Sequence, residues 1–271
     1  MPEISTSVSS HLFYRKMGSG PVLVLLHGFP ESGTLWRNVW DSLSASFTLI
    51  VPDFPGSGNS VLERETTMEE IAACVKAILD AENTDKAVIA GHSMGGYAAF
   101  AFAAAYPDRV AGLSLVHSTP DADSEEKKNT RLKVIELILK GGKSAFINQM
   151  VPDLFSAGYK RSNPLPVKNQ VDEAMLMRDA SLINFYRAMI GRKDTTAVLE
   201  SARFPVQWIL GMEDTVISYK KILEKCHKSG INFVSFYNNC GHMSMFEKPE
   251  QLVTDLRYFA NYSYDHHCGA L

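Results

Sequence analysis

Residues 87–96 read AVIAGHSMGG, which places a serine between glycines where a strand passes into a helix. The apolar run 87–90 is typical of a buried strand, and the small residues that follow the glycines predict a closely packed helix. This is the G-x-S-x-G pattern in its strand-turn-helix context, in which a sharp turn exposes a nucleophilic serine. Gly91 and Gly95 remove side chains that would collide where the strand and the helix approach each other. Ser93 is therefore the predicted nucleophile.

A base and an acid for this serine follow two later apolar runs. A serine hydroxyl is a weak nucleophile unless a base takes its proton. Asp214 stands just past residues 206–210, and His242 stands just past residues 233–236. Asp214 would accept the Nδ1 proton of His242, while Nε2 faces Ser93. The order Ser, Asp, His along the chain is typical of this arrangement.

Each of these residues has a simpler interpretation when it is taken alone. A bare G-x-S-x-G pattern can be a glycine-rich turn, His242 can be a loop histidine, and Asp214 can be a turn residue or a helix cap. Their occurrence together and in order at successive strand ends favours the catalytic interpretation. Glu213 is the nearest rival for the acid, and Asp121 and Asp123 are more distant rivals.

The oxyanion of a tetrahedral intermediate needs N–H donors, and two backbone groups are candidates. One is the N–H of Met94, directly after the predicted nucleophile. The other lies in the loop after an earlier strand, where we assign the N–H of Phe29 because Pro30 has none. His27 is expected to brace this loop by hydrogen bonds, and His92 is expected to point away from the nucleophile.

Apolar runs alternate with helical patterns over most of the chain. We predict strands at residues 21–26, 47–51, 87–90, 113–116, 206–210 and 233–236, and helices at 67–81, 95–105 and 249–262. The helix at 67–81 opens with Thr67 and Glu70 in a capping-box pattern. Strands that alternate with helices predict an α/β fold, with a mostly parallel sheet and helices on both faces.

The alternation stops between residues 121 and 194, where the patterns are helical. We expect a helix at 124–139, a turn at 163–166 and helical structure at 167–190. The predicted organisation is therefore a core of residues 1–120 and 195–271 with a helical lid at 121–194. Apolar side chains suggest a pocket under this lid, although a core position is favoured for any one of them. They are Phe29, Trp36, Met175, Met177, Phe185, Tyr186 and Met189.

The charge and cysteine content of the chain limit which partners and which cellular compartment are expected. The 271 residues carry 27 Lys and Arg against 30 Asp and Glu, so no basic excess favours nucleic acid or a membrane surface. Four scattered cysteines, Cys74, Cys226, Cys240 and Cys268, fit reduced thiols in a cytoplasm. No signal peptide and no apolar run of membrane-spanning length is seen. We expect a soluble cytoplasmic protein with a small-molecule substrate, and the oligomeric state stays open.

Taken together, several motifs resemble the α/β-hydrolase superfamily, and in particular its lid-bearing members. They are HGFP at 27–30, DFPGSGNS at 53–60, GHSMG at 91–95, GMED at 211–214, GH at 241–242 and EKPE at 247–250. The resemblance covers nearly the whole chain. It implies eight strands, the first two at 4–8 and 11–17, and an active site under the lid.

The resemblance leaves the reaction open. Residues 27–36 are also similar to haloalkane dehalogenases and epoxide hydrolases, which use an aspartate nucleophile, so Ser93 argues against both activities. Our leading hypothesis is ester hydrolysis through an acyl-enzyme on Ser93, without metal or organic cofactor. Alternatives with the same triad are a carbon-carbon bond hydrolase, a perhydrolase or a lyase. An alternative of another class is a ligand-binding receptor with little turnover.

Overall fold

The computed structural model describes residues 2–267 as an eight-stranded sheet surrounded by helices. The strands are β1 (Glu3–Ile4), β2 (Leu12–Met17), β3 (Val22–Leu26), β4 (Thr48–Pro52), β5 (Ala87–His92), β6 (Val110–Val116), β7 (Val206–Gly211) and β8 (Asn232–Tyr237). Their order across the sheet is β1-β2-β4-β3-β5-β6-β7-β8. The predicted α/β fold class is confirmed.

Most of the sheet is parallel. β2 pairs antiparallel with β1 and β4, and the neighbours from β4 through β3 to β8 pair parallel. All residues of β5, β6 and β7 are buried, because helices cover both faces of the sheet. The carboxyl ends of these central strands lie at one edge, where the predicted acid, base and nucleophile follow them. The prediction of a strand over 4–8 is wrong beyond Ile4, where β1 ends and the chain bends.

The α-helices that precede β6 or follow β7 surround the sheet. They are α1 (Arg37–Ser44), α2 (Met68–Ala81), α3 (Met94–Ala105), α10 (Tyr219–Cys226), α11 (Ser244–Glu247) and α12 (Pro249–His267). The predicted capping box is present, since the Thr67 side chain accepts from the Glu70 N–H and the Glu70 carboxylate accepts from the Thr67 N–H. The apolar residues form one layer with α2 and α3 and another with α1 and α12.

A helical segment joins β6 to β7. It contains α4 (Glu125–Leu139), α5 (Lys143–Met150), α6 (Ala157–Ser162), α7 (Pro164–Leu176), α8 (Asp179–Gly191) and α9 (Thr196–Ser201). The expected turn at 163–166 is wrong, because Pro164 begins α7, where a proline has no helical N–H to lose. The helical stretch predicted at 167–190 is divided at Met177 and Arg178, both of which have extended backbone.

Among the residues that the structure describes, Cys74, Cys226 and Cys240 are buried free thiols. The fourth cysteine, Cys268, lies outside the described residues. None of the helices within residues 2–267 combines the length and the apolar character that crossing a bilayer requires.

Candidate active site

The turn that carries Ser93 has an unusual backbone. Ser93 lies between β5 and α3 with φ 49° and ψ −113°, a backbone conformation that residues other than glycine rarely adopt. A Cβ on Gly91 would lie 2.4 Å from the Gly95 carbonyl oxygen, and a Cβ on Gly95 would lie 2.4 Å from the Leu26 carbonyl oxygen. Both positions therefore require glycine for the helix to start so close to the strands.

The predicted acid and base are hydrogen bonded to each other. His242 Nδ1 donates to Asp214 Oδ2 at 2.7 Å, and both side chains are almost fully buried. The other carboxylate oxygen, Oδ1, accepts from the backbone N–H groups of Val216 at 2.8 Å and Ile217 at 2.9 Å. The carboxylate is thus fixed from both sides, and it fixes the orientation of the imidazole.

A second imidazole, His117, binds the same carboxylate oxygen. His117 Nδ1 lies 3.2 Å from Asp214 Oδ2, and the His117 side chain is fully buried. An ionised carboxylate only accepts hydrogen bonds, so Nδ1 of this ring is the donor. The Gly211 N–H also approaches Nδ1, at 3.3 Å, but the charged carboxylate is the stronger partner and keeps the proton on this nitrogen. We missed His117 in the sequence, although it follows β6 at the same sheet edge as the other site residues.

These contacts determine the protonation of the acid. Burial alone would raise the pKa of Asp214, but the charge and the hydrogen bonds of His242 and His117 lower it far below its ordinary value. Burial lowers the pKa of His117, against the opposing effect of its bond to Asp214. At neutral pH the site therefore holds an ionised Asp214 beside a neutral His117.

The rival acids lie elsewhere. Glu213 is exposed. Asp121 pairs with Lys225 at 2.7 Å, and Asp123 is buried in ion pairs with two arginines. Of the four candidate carboxylates, Asp214 alone is the one bonded to His242 in the described residues.

The loop that presents His242 is held by a glutamate that sequence reasoning left without a role. Glu247 Oε1 accepts from the Gly241 N–H at 3.0 Å, and Glu247 Oε2 accepts from the Ser156 N–H at 3.1 Å. The His242 N–H donates to the Leu154 carbonyl at 2.7 Å. The available signal was the EKPE stretch, in which Glu247 stands close to His242. The helical segment between β6 and β7 is therefore tied directly to the loop of the predicted base.

The two predicted oxyanion donors have free N–H groups. Met94 is the first residue of α3, where the N–H has no partner within its own helix. In the described part of the chain, no protein acceptor binds the N–H of Met94 or of Phe29. His27 braces the Phe29 loop as expected, since its Nε2 accepts from the Phe54 N–H at 3.0 Å. Its Nδ1 donates to the Gly28 carbonyl at 2.7 Å, and burial lowers the pKa of His27 to about 4.

His92, which precedes Ser93 in the chain, bonds the loop of the predicted base. Its Nε2 donates to the His242 carbonyl at 2.8 Å, and the two ring centroids are 4.9 Å apart. Burial lowers the pKa of His92 well below its ordinary value, so the ring is neutral. Within residues 2–267, no hydrogen bond joins Ser93 Oγ to the His242 ring. The structure thus bonds the predicted acid to the predicted base, and the His92 side chain ties the turn of Ser93 to the His242 loop.

The family comparison agrees with this architecture. The model of the alpha/beta hydrolase fold family matches residues 21–156, which is half of the chain. The chain belongs to the alpha/beta hydrolase fold family.

Curated relatives of this alpha/beta hydrolase are similar over almost their whole length. A pimeloyl-[acyl-carrier protein] methyl ester esterase of Vibrio campbellii is 27% identical, and the match covers 93% of this chain and 100% of the relative. A soluble epoxide hydrolase of a Corynebacterium species is 28% identical, with 95% and 99% covered. These relatives support hydrolase activity.

A solved structure leads to the same conclusion. A thermophilic esterase from Thermogutta terrifontis, determined with malate bound, superposes with a TM-score of 0.91. It is 28% identical, and the match covers 97% of this chain and 98% of the esterase. The enol-lactonase from Burkholderia xenovorans has the same fold, with a TM-score of 0.87 at 20% identity over 95% of this chain and 99% of that one.

The predicted pocket residues of this alpha/beta hydrolase divide into two groups. Trp36 is fully buried in the layer formed with α1 and α12, which is the core position favoured for any one of these residues. Phe185 and Met189 are also core residues. The Phe29 ring is half-buried and lies 4.7 Å from the Tyr186 ring and 6.5 Å from the Phe146 ring, measured between centroids. Phe29 thus joins the predicted oxyanion loop to helices α5 and α8.

Two cavities flank these residues. One of about 700 Å³ has a mixed polar and apolar lining that includes Glu31, Arg37 and Leu176 but neither Ser93 nor His242. Another of about 380 Å³ lies between α4, α5 and the loop after Asp214, and its lining includes Leu137, Phe146 and Val216.

One group of side chains in the described residues has ligand atoms close enough for a metal. The Asp214, His117 and His242 ligand atoms lie within 4.8 Å of one another. Both Nδ1 atoms already donate to the carboxylate, which is the arrangement of an acid that orients a base.

Proposed function

We propose that this chain is a carboxylic-ester hydrolase that forms an acyl-enzyme on Ser93. The observation that carries the proposal is the bond of 2.7 Å between His242 and Asp214, at the sheet edge where the strained turn presents Ser93. Two esterase relatives at 27% and 28% identity support the reaction class. Serine at position 93 argues against epoxide opening, for which the resembling enzymes use an aspartate.

In the proposed first step, Ser93 Oγ attacks the ester carbonyl carbon while His242 Nε2 takes its proton. Asp214 holds the Nδ1 proton and stabilises the positive charge that forms on the ring. The negative charge on the carbonyl oxygen is stabilised by the free N–H groups of Met94 and Phe29. His242 then returns the proton to the departing alcohol. Water cleaves the acyl-enzyme by the same sequence of proton transfers.

We also propose that residues 121–194 act as a lid over this site. Support comes from the hydrogen bonds that tie Leu154 and Ser156 to the His242 loop, and from the packing of Tyr186 on Phe29. The cavity of about 380 Å³ beside Val216 is mainly apolar, but its lining includes neither Ser93 nor His242, so we assign it no part of the substrate. A small-molecule ester fits this arrangement, and the cytoplasmic location stays a prediction.

The test is hydrolysis of a p-nitrophenyl ester series by the wild type and by Ser93→Ala. The wild type should release nitrophenol, and with esters whose deacylation is slower than acylation it should show an initial burst equivalent to one acyl group per site. Ser93→Ala should lose both the burst and the turnover. The matched control is Ser114→Ala, which removes a buried hydroxyl that bonds Gln207 of β7 at 2.7 Å and keeps the hydrogen bonds of the Ser93 turn. A folded Ser93→Ala protein with undiminished turnover would contradict the proposal.

A further inference from the structure

Asp214 receives more hydrogen bonds than the orientation of one base requires. Its Oδ1 accepts two backbone N–H groups, and its Oδ2 accepts both His242 at 2.7 Å and His117 at 3.2 Å. A carboxylate offers about four lone-pair directions, so all of them are used. The two imidazoles therefore share one oxygen of the predicted acid.

Two features of His117 are unfavourable for the stability of the fold. Its Nε2 is buried without a partner among the described residues, and its backbone has φ 51°, a conformation that favours glycine. An unpartnered buried nitrogen and a left-handed backbone both cost free energy. Among the described residues, the bond to Asp214 is the one hydrogen bond that the His117 ring donates.

We propose that His117 is a positioning residue which weakens the attraction of Asp214 for the positive charge that forms on His242. This inference rests on the proposed function, because it assigns His242 as the base. A donor on Oδ2 withdraws negative charge from the carboxylate that faces the His242 ring. Oδ2 therefore carries less negative charge towards the His242 ring than it would with one imidazole partner.

The other groups around these rings do not supply this effect. His92, from β5, has ring centroids 4.9 Å from His242 and 6.1 Å from His117, but it is neutral and bonds a carbonyl. Glu247 binds backbone N–H groups of the His242 loop and adds a negative charge near His117. Burial raises the pKa of Cys240, so its thiol is neutral. Glu213 is exposed to solvent.

The experiment compares donor-removing and donor-retaining variants. His117→Gly and His117→Ala remove the donor, and the glycine accepts the left-handed backbone without strain. His117→Asn keeps an N–H donor near the Nδ1 position, and asparagine tolerates positive φ. The control is Ser114→Ala, which removes a buried hydrogen bond of 2.7 Å from β6 to Gln207 of β7 but leaves Asp214 untouched.

The first readout is the pH dependence of the rate at which a fluorophosphonate modifies Ser93. The acid limb should move to higher pH by about one unit in His117→Gly and His117→Ala, roughly a tenfold slower reaction below that limb. It should stay near the wild-type position in His117→Asn and Ser114→Ala. An unmoved limb in the folded donor-removing variants, or an equal movement in Ser114→Ala or His117→Asn, would overturn the proposal.

The second readout does not depend on catalysis. Proton NMR of the wild type should show two low-field imidazole N–H resonances, from His117 and His242. His117→Gly or His117→Ala should retain one, moved further downfield because its bond to Asp214 strengthens. A remaining resonance at its wild-type position would overturn the inference even if Ser93 is never modified. Suppose that the wild type shows two resonances and the donor-removing variants show one that is moved downfield, but Ser93 is never modified. That result would refute the proposed function and leave the inference about His117 standing.

Discussion

The carboxyl edge of the central strands and the helical segment at 121–194 are built in different ways. Every residue of β5, β6 and β7 is buried, and the elbow at their edge is fixed by backbone contacts that admit glycine alone. The helical segment instead exposes large apolar side chains such as Leu139, Leu165 and Leu176, at 67%, 65% and 82%. On its inner face it contributes buried side chains such as Leu182 and Phe185 to the same apolar layer as α2 and α3. The sheet edge is therefore buried on all sides, whereas the helical segment is buried on its inner face and exposed on its outer face.

The largest effect should follow from removing the base at the edge. His242→Ala should lower kcat for ester hydrolysis by about 10⁴-fold or more, because proton transfer to and from Ser93 is lost. His227→Ala, which removes an exposed imidazole after α10, should leave kcat within about twofold of the wild type, as expected for a surface site. Steady-state kinetics at neutral pH provides the measurement. Comparable losses of kcat in the two variants would show that His242 has no special role in the reaction.

Replacing one glycine in each region by alanine compares how each region tolerates an added Cβ, measured as the free energy of unfolding. Gly95→Ala should reduce the free energy of unfolding by about 1–3 kcal/mol, because the new Cβ would meet backbone oxygens that cannot move away. Gly158→Ala, in α6 of the helical segment, meets no atom within 4 Å and should instead stabilise by about 0.5–1 kcal/mol through helix propensity. Urea unfolding measures both. If Gly95→Ala is neutral, the close packing at the edge does not constrain the elbow.

The edge should also make the protein sensitive to acid. Burial lowers the pKa of His27 from 6.5 to about 4, so the unfolded chain binds this proton more readily than the folded protein. The stability contributed by a neutral His27 is fully present above pH 6.5 and is lost as the pH falls towards about 4. The melting temperature should therefore fall over this range, and it should fall less steeply in His27→Gln, which cannot take up the proton. Equal slopes would exclude His27 as a source of the acid sensitivity.

The smallest effect should come from the ion pair between the two regions. Arg37, at the start of α1, pairs with Glu173 of α7, and about a third of each side chain is exposed. Arg37→Ala should change the free energy of unfolding by about 1 kcal/mol at most, because solvent screens the pair. A loss well above this value in chemical denaturation would show that the helical segment is held to the core more firmly than its contacts indicate.

The sequence was most informative where the structure depends on local rules. Ser93 and its glycines could be found because a tight strand-turn-helix junction restricts which residues fit. Six apolar runs predicted strands correctly because parallel strands covered on both faces are continuously apolar. The strand at 4–8 was wrong beyond Ile4, since an edge strand is set by pairing with its neighbour rather than by its own residues.

The remaining features depend on contacts that are distant in sequence. His117 meets Asp214 across 97 positions, so only the order of β6 and β7 in the sheet reveals it. Glu247 acquires its role from the path of the Leu154 loop. The sequence offered both a pocket and a core position for Trp36, and the packing of α1 and α12 places it in the core. Helix breaks such as Met177 have no local signal that is as strong as a glycine or a proline.

The most direct test of the central claim is intact-mass spectrometry after incubation with a fluorophosphonate, on the wild type and on Ser93→Ala. The account predicts one adduct on the wild type, located on Ser93 by peptide mapping, and none on the variant. An adduct on both proteins, or modification of a serine other than Ser93, would contradict an activated nucleophile at the elbow.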